Sequence, residues 1–163
     1  MTAAGTVVWF TGLPASGKST LAERVRDQLR RASVVLDSDA MRDVLEASSY
    51  EAGERDRFYR VLANLAAHLA HQRIVVLVAA TAQRRAYREL ARAHAPRFVE
   101  VWVRTPAELC AQRDVKGLYA RARAGHIELP GVAVAYEPPL HPDVVADGGH
   151  DEAAAAAIQA LVG

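Results

Sequence analysis

The run Gly12-Leu13-Pro14-Ala15-Ser16-Gly17-Lys18-Ser19 fits the pattern G-x-x-x-x-G-K-[ST]. It follows a β-branched and aromatic stretch, Thr6–Thr11 (TVVWFT), and opens an apolar-periodic one carrying Leu21, Val25 and Leu29. That strand–loop–helix context gives the pattern a physical reading. Polyphosphate needs many donors at once, and a glycine-lined loop at a helix N-terminus supplies them from backbone N–H groups. Gly12 and Gly17 let backbone approach without a Cβ clash. Lys18 reaches the terminal phosphates, and the Ser19 hydroxyl takes magnesium. The loop therefore predicts a nucleoside triphosphate site that includes Ala15 and Ser16.

The rest of the chain alternates in the same manner. Strands are expected at Val34–Asp37, Ile74–Ala79, Phe98–Val103 and Val144–Ala146, and helices at 18–31, 55–72, 83–94, 105–113 and 151–161. Thr105-Pro106 reads as an N-cap followed by proline at the first helical position. Alternation with short connections predicts an α/β three-layer sandwich of the P-loop NTPase type, with a mostly parallel five-stranded sheet. From Asp114 to Pro142 glycines and prolines break the pattern. That length is too great for a bland connection, and its apolar anchors (Leu118, Tyr119, Ile127, Tyr136) suit a lid.

A length of 163 residues, 51% hydrophobic and 24% charged, predicts one soluble domain. A net charge of +1 argues against nucleic acid or an anionic membrane as partner through bulk charge. No apolar run approaches the roughly 20 residues of a membrane span. The N-terminus lacks a basic leader, and the single cysteine fits a reducing compartment, so a cytoplasmic enzyme is expected. No N-K-x-D base-reading segment of a GTPase switch is present. A short chain with a late basic lid suits a small-molecule kinase that excludes water from the transferring phosphoryl group.

On the acceptor side, Asp37-Ser38-Asp39 ends the second strand, where the ligand crevice of such sheets opens. A carboxylate there can accept a hydroxyl proton or organise magnesium; capping of the following helix is the competing role. Arg42, one turn on, can clamp an anion.

Four segments, LDSDAMR (36–42), ERDRFYRVLANLA (54–66), RDVKGLYARARAG (113–125) and YEPP (136–139), resemble the adenylylsulfate (APS) kinase family, in order along most of the chain. The resemblance implies transfer of the γ-phosphate of ATP to the 3′-hydroxyl of APS, giving the sulfate donor PAPS. It implies that Asp39 is the base or magnesium organiser, and that Arg42 and Arg55 grip the phosphosulfate. Tyr50 would stack on the acceptor's adenine, and Arg113 would lie over that of ATP. Lys116, Gly117, Leu118 and Tyr119 would form the lid core. Departures fall mostly on the acceptor half. Ser38 replaces a glycine, Phe58 an asparagine that contacts the acceptor, and Leu129 the second ring of a base sandwich. Asp37, Arg42, Tyr50, Arg55, Phe58, Lys116, Gly117 and Leu118 thus make up the expected acceptor site. Another nucleotide, a sugar or a specialised hydroxyl compound is the alternative acceptor, and a non-catalytic nucleotide-binding regulator the alternative class. A homodimer is an open arrangement.

His68 and His71 stand at i, i+3 without a third ligand nearby in sequence, so core-edge or polar-face roles are expected of them. Cys110 reads as buried packing. Arg85, Arg88 and Arg92 read as a solvated helix face, with Arg84 beside them. Arg121 and Arg123 suit either phosphate contact or solvent.

Overall fold

The computed structural model describes residues 3–114 and 116–163; Val115, within the expected lid, lies outside the described residues. Five strands, β1 (Thr6–Thr11), β2 (Ser33–Asp37), β3 (Val75–Ala79), β4 (Phe98–Val103) and β5 (Val144–Ala146), form one sheet in the order β2-β3-β1-β4-β5. Every pairing is parallel, with Phe10 opposite Ala79 and Val101. Between and after the strands come α1 (Lys18–Gln28), α2 (Ser38–Val44), α3 (Ala52–His71), α4 (Arg85–His94), α5 (Ala107–Arg113), α6 (Leu118–Arg123) and α7 (Glu152–Val162). None of these helices is long and apolar enough to cross a membrane.

Strand alternation builds two cores. Val8 and Phe10 face one side of the sheet and pack with Leu21, Val25 and Ile158 of α1 and α7. Val7 and Trp9 face the other side and meet Phe58, Leu62 and Ala66 of α3 and Ala91 of α4. Coverage on both faces is why β1 and β3 are apolar throughout rather than alternating. Each fully buried Val, Leu or Phe contributes about 1.5–3 kcal/mol, and these layers fix where the strand ends emerge. All five strands run the same way, so Thr11, Asp37 and Ala79 emerge at the same, C-terminal, end of the sheet.

The structure adds detail that periodicity lacks. The six-residue helix α6 stands inside the glycine- and proline-rich stretch. It forms there because the Asp114 carboxylate accepts the backbone N–H groups of Tyr119 (2.8 Å) and Ala120 (3.1 Å). The helix after β4 begins at Ala107, with Pro106 as N-cap, not Thr105. Thr105 instead sends its hydroxyl to Ser16 O at 2.6 Å, tying the end of β4 to the glycine loop.

Candidate active site

Backbone geometry makes the glycine loop what it is. A Cβ on Gly12 would lie 2.5 Å from Val103 O, so the loop turns directly against β4. Gly17 has φ +101°, and a Cβ there would meet Gly149 N at 2.6 Å. Only glycine satisfies both demands at once. The α1 N-terminus therefore opens freely into a cavity of about 1010 Å³, walled in part by Ala15, Gly17, Lys18, Ser19 and Thr20. Gly12 and Ser16 lie behind this wall rather than on it.

Lys18 Nζ donates to Leu13 O (2.8 Å) and Gly12 O (3.1 Å), which holds the ammonium over the loop. Desolvation pushes its pKa down to about 8, with the Asp37 carboxylate working against the shift. A polyphosphate in the cavity would supply the missing negative charge. The Ser19 hydroxyl donates to Asp37 Oδ2. With its proton given to Asp37, the serine oxygen keeps its lone pairs for a hard cation. Ser19 and the Asp37 and Asp39 carboxylates form an oxygen donor set that fits magnesium held mainly by phosphates and one or two protein oxygens.

Asp37 carries two tasks. Its Oδ1 also accepts the N–H groups of Asp39 (3.0 Å) and Ala40 (3.3 Å), making it the N-cap of α2. Its two oxygens are thus taken by Ser19 and by the cap, and the residue lines the cavity between the loop and Arg42. Asp39 lines the cavity and pairs with Lys116, joining the β2 tip to the stretch expected to act as a lid.

Arg42 and Arg55 are 7% and 4% exposed, and both line the cavity. Arg55 donates to Glu128 O at 2.9 Å, reaching the lid from α3. Arg42 gives Nη1 to Ala47 O (3.2 Å) and Ser49 O (3.3 Å). Its guanidinium lies 4.2 Å from the Tyr50 ring centre and 4.1 Å from that of Phe58. Phe58, expected among the acceptor contacts, is 2% exposed and does not line the cavity; its ring stands beneath Arg42. Tyr50, 43% exposed, presents its ring to the cavity.

The stretch expected to act as a lid lines the opposite wall. Tyr119 donates from its hydroxyl to Pro14 O at 2.7 Å, and Arg113 Nη1 reaches toward Ala15 O at 3.5 Å. Cys110, Tyr119, Ala122 and Leu129 form a small core with Leu13 of the glycine loop and Leu118 packed against it. Burial pushes the Cys110 thiol up, in keeping with packing rather than reactivity. Leu118 and Lys116 line the cavity; Gly117, with φ +65°, sits behind them as the N-cap of α6.

Arg88 contradicts the solvated face expected of it: it is fully buried and bound to Glu100 at 2.8 Å. The signal for it was Glu100 itself, an acid in the middle of the apolar strand FVEVWV that demands a buried partner. Arg84 stays exposed, 3.7 Å from Asp56.

A glycine loop with Lys-Ser at the mouth of α1, on a parallel sheet of this order, defines a P-loop nucleotide-binding protein, with two buried arginines lining the same cavity as the loop. A model of the adenylylsulphate kinase family matches residues 4–147. The adenylyl-sulfate kinase of Synechococcus sp. (strain JA-3-3Ab) is 42% identical over 146 residues, spanning 86% of this chain and 83% of that protein. That of Chloroflexus aurantiacus is 43% identical over 148 residues, 88% of this chain and 80% of that one. Among solved structures, the Mycobacterium tuberculosis APS kinase in complex with AMPPNP and APS superposes with a TM-score of 0.87 at 38% identity, over 98% of this chain and 99% of that chain. The chain belongs to the adenylylsulphate kinase family.

Proposed function

We propose that this protein transfers the γ-phosphoryl group of ATP to the 3′-hydroxyl of adenylylsulfate, releasing ADP and PAPS. The observation that carries this reading is the meeting of Lys18, Ser19, Asp39, Arg42 and Arg55 around one cavity, phosphate grips on one side and buried cations on the other. The Mycobacterium tuberculosis relative, solved with AMPPNP and APS, supports both substrates at such a site.

Catalysis is then positioning and charge neutralisation. Backbone N–H groups of the loop and Lys18 hold the β- and γ-phosphates, and Arg113 covers the ATP base. Magnesium, taken by Ser19 and organised through Asp37, would neutralise charge between the phosphates. Tyr50 stacks on the acceptor adenine while Arg42 and Arg55 take the phosphosulfate. Two cations buried beside a wide cavity favour an anionic ligand, since the ligand's charge offsets their desolvation. Asp39 accepts a hydrogen bond from the attacking hydroxyl. As the new O–Pγ bond forms and the Pγ–O bond to the β-phosphate breaks, the hydroxyl proton passes toward the Asp39 carboxylate. Lys116, seated on Asp39, brings the lid over the reacting atoms and keeps water out. The replacement of the family's asparagine by Phe58 leaves the arginine grip in place, because the ring supports Arg42 from outside the cavity. The single cysteine and the small-molecule substrates suit a cytoplasmic enzyme.

The test is direct: purified protein with ATP, magnesium and APS, product resolved chromatographically, beside a panel of hydroxylated nucleotides and sugars. Formation of PAPS, lost in Lys18→Ala, is expected. Phosphorylation of another alcohol in preference to APS would move the acceptor, and ATP binding without any phosphorylated product would end the kinase reading.

A further inference from the structure

The largest polar side chain sealed inside the protein belongs to neither substrate subsite. Arg88 of α4 is 0% exposed, and its guanidinium reaches four separate segments. Nε donates to Glu100 Oε2 on β4 (2.8 Å), Nη1 to Ala82 O after β3 (2.5 Å) and to Thr11 Oγ1 at the end of β1 (3.3 Å), and Nη2 to Glu137 O (2.7 Å). Thr11 gives its own hydrogen to Thr81 O at 2.6 Å, so Tyr136, 2.9 Å away, donates its hydroxyl to Thr11. Thr11 is the residue before Gly12, and Tyr136-Glu137, late in the Asp114–Pro142 stretch, is held to the body of the protein: Glu137 N–H donates to Gln83 O (2.8 Å) and its carboxylate accepts the Arg85 N–H (3.0 Å). One planar cation therefore sets the distance between the floor of the phosphate loop and the rear attachment of the lid.

Stability alone is a poor reason for this arrangement. Buried ion pairs can commonly be replaced by well-packed apolar groups without loss. A guanidinium offers instead a rigid fork whose donors point in fixed directions. Here the N–H groups are shared among four segments, among them the end of β1 just before Gly12 and Glu137 of the lid stretch.

We propose that Arg88, held by Glu100, is a positioning residue for phosphoryl transfer: it anchors the rear strap of the lid at Tyr136-Glu137 against the base of the glycine loop, so that closure brings Lys116 onto Asp39 in register. This rests on the kinase reading given above. A slack rear anchor leaves the nucleotide bound, since Lys18 and the loop are untouched, but lets water compete with the acceptor for the γ-phosphate.

The experiment compares wild type with Arg88→Lys, Arg88→Met, the double variant Arg88→Met/Glu100→Gln and Tyr136→Phe. It measures transfer to APS, ATP hydrolysed without transfer, the KM for ATP, and tryptic cleavage within the lid at Arg121 and Arg123. Circular dichroism confirms folding. For the double variant, kcat should fall about tenfold or more and hydrolysis relative to transfer should rise about tenfold, while the KM for ATP stays within about threefold. Lid cleavage should quicken. Arg88→Lys should recover only part, because an ammonium cannot reproduce the fork. Tyr136→Phe, losing one hydrogen bond, should shift the same ratios by about threefold and decides the matter if the Arg88 variants fail to fold. A folded variant with wild-type coupling and wild-type lid cleavage overturns the proposal. Should wild type phosphorylate no acceptor, the kinase reading fails, whereas the cleavage rates still decide whether Arg88 anchors the lid.

Discussion

Substituting Asp37 takes apart the two tasks its carboxylate performs. Oδ1 caps α2 through the Asp39 and Ala40 N–H groups, and Oδ2 accepts the Ser19 hydroxyl. Asp37→Ala removes both. An N-cap contributes about 1 kcal/mol, and a hydrogen bond to a charged group near solvent about 1 kcal/mol. Their sum, about 2 kcal/mol, lowers the Tm of a domain this size by about 4–8 °C. Asp37→Asn separates the effects. Asparagine is as good an N-cap as aspartate, so the Tm should stay within about 2 °C. Its amide nitrogen, however, cannot accept the serine proton, and a neutral oxygen in that place accepts it weakly. Ser19 then loses the partner that orients its lone pairs, and the magnesium concentration for half-maximal activity should rise about tenfold, as for other groups that orient a ligand. Differential scanning fluorimetry and a magnesium titration of ATP turnover read the two quantities independently. An Asp37→Asn enzyme with wild-type magnesium dependence would refute the Ser19 role. An Asp37→Ala enzyme with unchanged Tm would refute the cap.

Lys18 gives a pH-dependent signature. Its folded pKa of about 8 lies below the 10.5 of a free lysine. Between those values the unfolded chain binds more protons, so the destabilisation from Lys18 is complete below pH 8 and vanishes as pH rises toward 10.5. Lys18→Met should therefore be more stable than wild type in urea at pH 7.5, with the gap narrowing by pH 9.5; a constant gap would contradict a desolvated ammonium. Phe58→Leu keeps an apolar platform but removes the ring under Arg42, worth about 1 kcal/mol. The KM for the acceptor should rise about fivefold with the KM for ATP unchanged, and equal effects on both would place Phe58 in general packing. Asp39→Ala should slow single-turnover transfer far more than it weakens ATP binding, measured by rapid quench and by equilibrium titration; an undiminished rate would leave Asp39 merely a partner for Lys116.

Local chemistry explains how much of this was readable from sequence. Thr6–Thr11, Phe98–Val103 and Val144–Ala146 were legible to the residue because β-branched runs bounded by turn chemistry leave little else to form. The glycine loop was legible because its residues act through backbone and reach, not through distant neighbours. The short helix α6 was not, since it depends on Asp114 turning back to cap it. Phe58 fitted both the apolar stripe of α3 and the acceptor pocket, and only the fold shows it buried behind the cavity wall, under the Arg42 guanidinium. Arg88 shares its spacing with Arg85 and Arg92, so periodicity alone gives all of them one face. What distinguishes Arg88 is the set of oxygens from four segments that converge on it, a property of the tertiary fold.

The apolar cluster that joins Leu13 to Tyr119, Ala122 and Leu129 has a thermal consequence. Any swing of the lid away from the nucleotide loop wets these side chains, so opening carries a positive heat-capacity change. Apolar contact weakens on cooling, and the open form gains ground in the cold. Product escape should then slow less steeply with falling temperature than the chemical step, bending the Arrhenius plot of turnover and shifting which event limits the enzyme between a cool cell and a warm one.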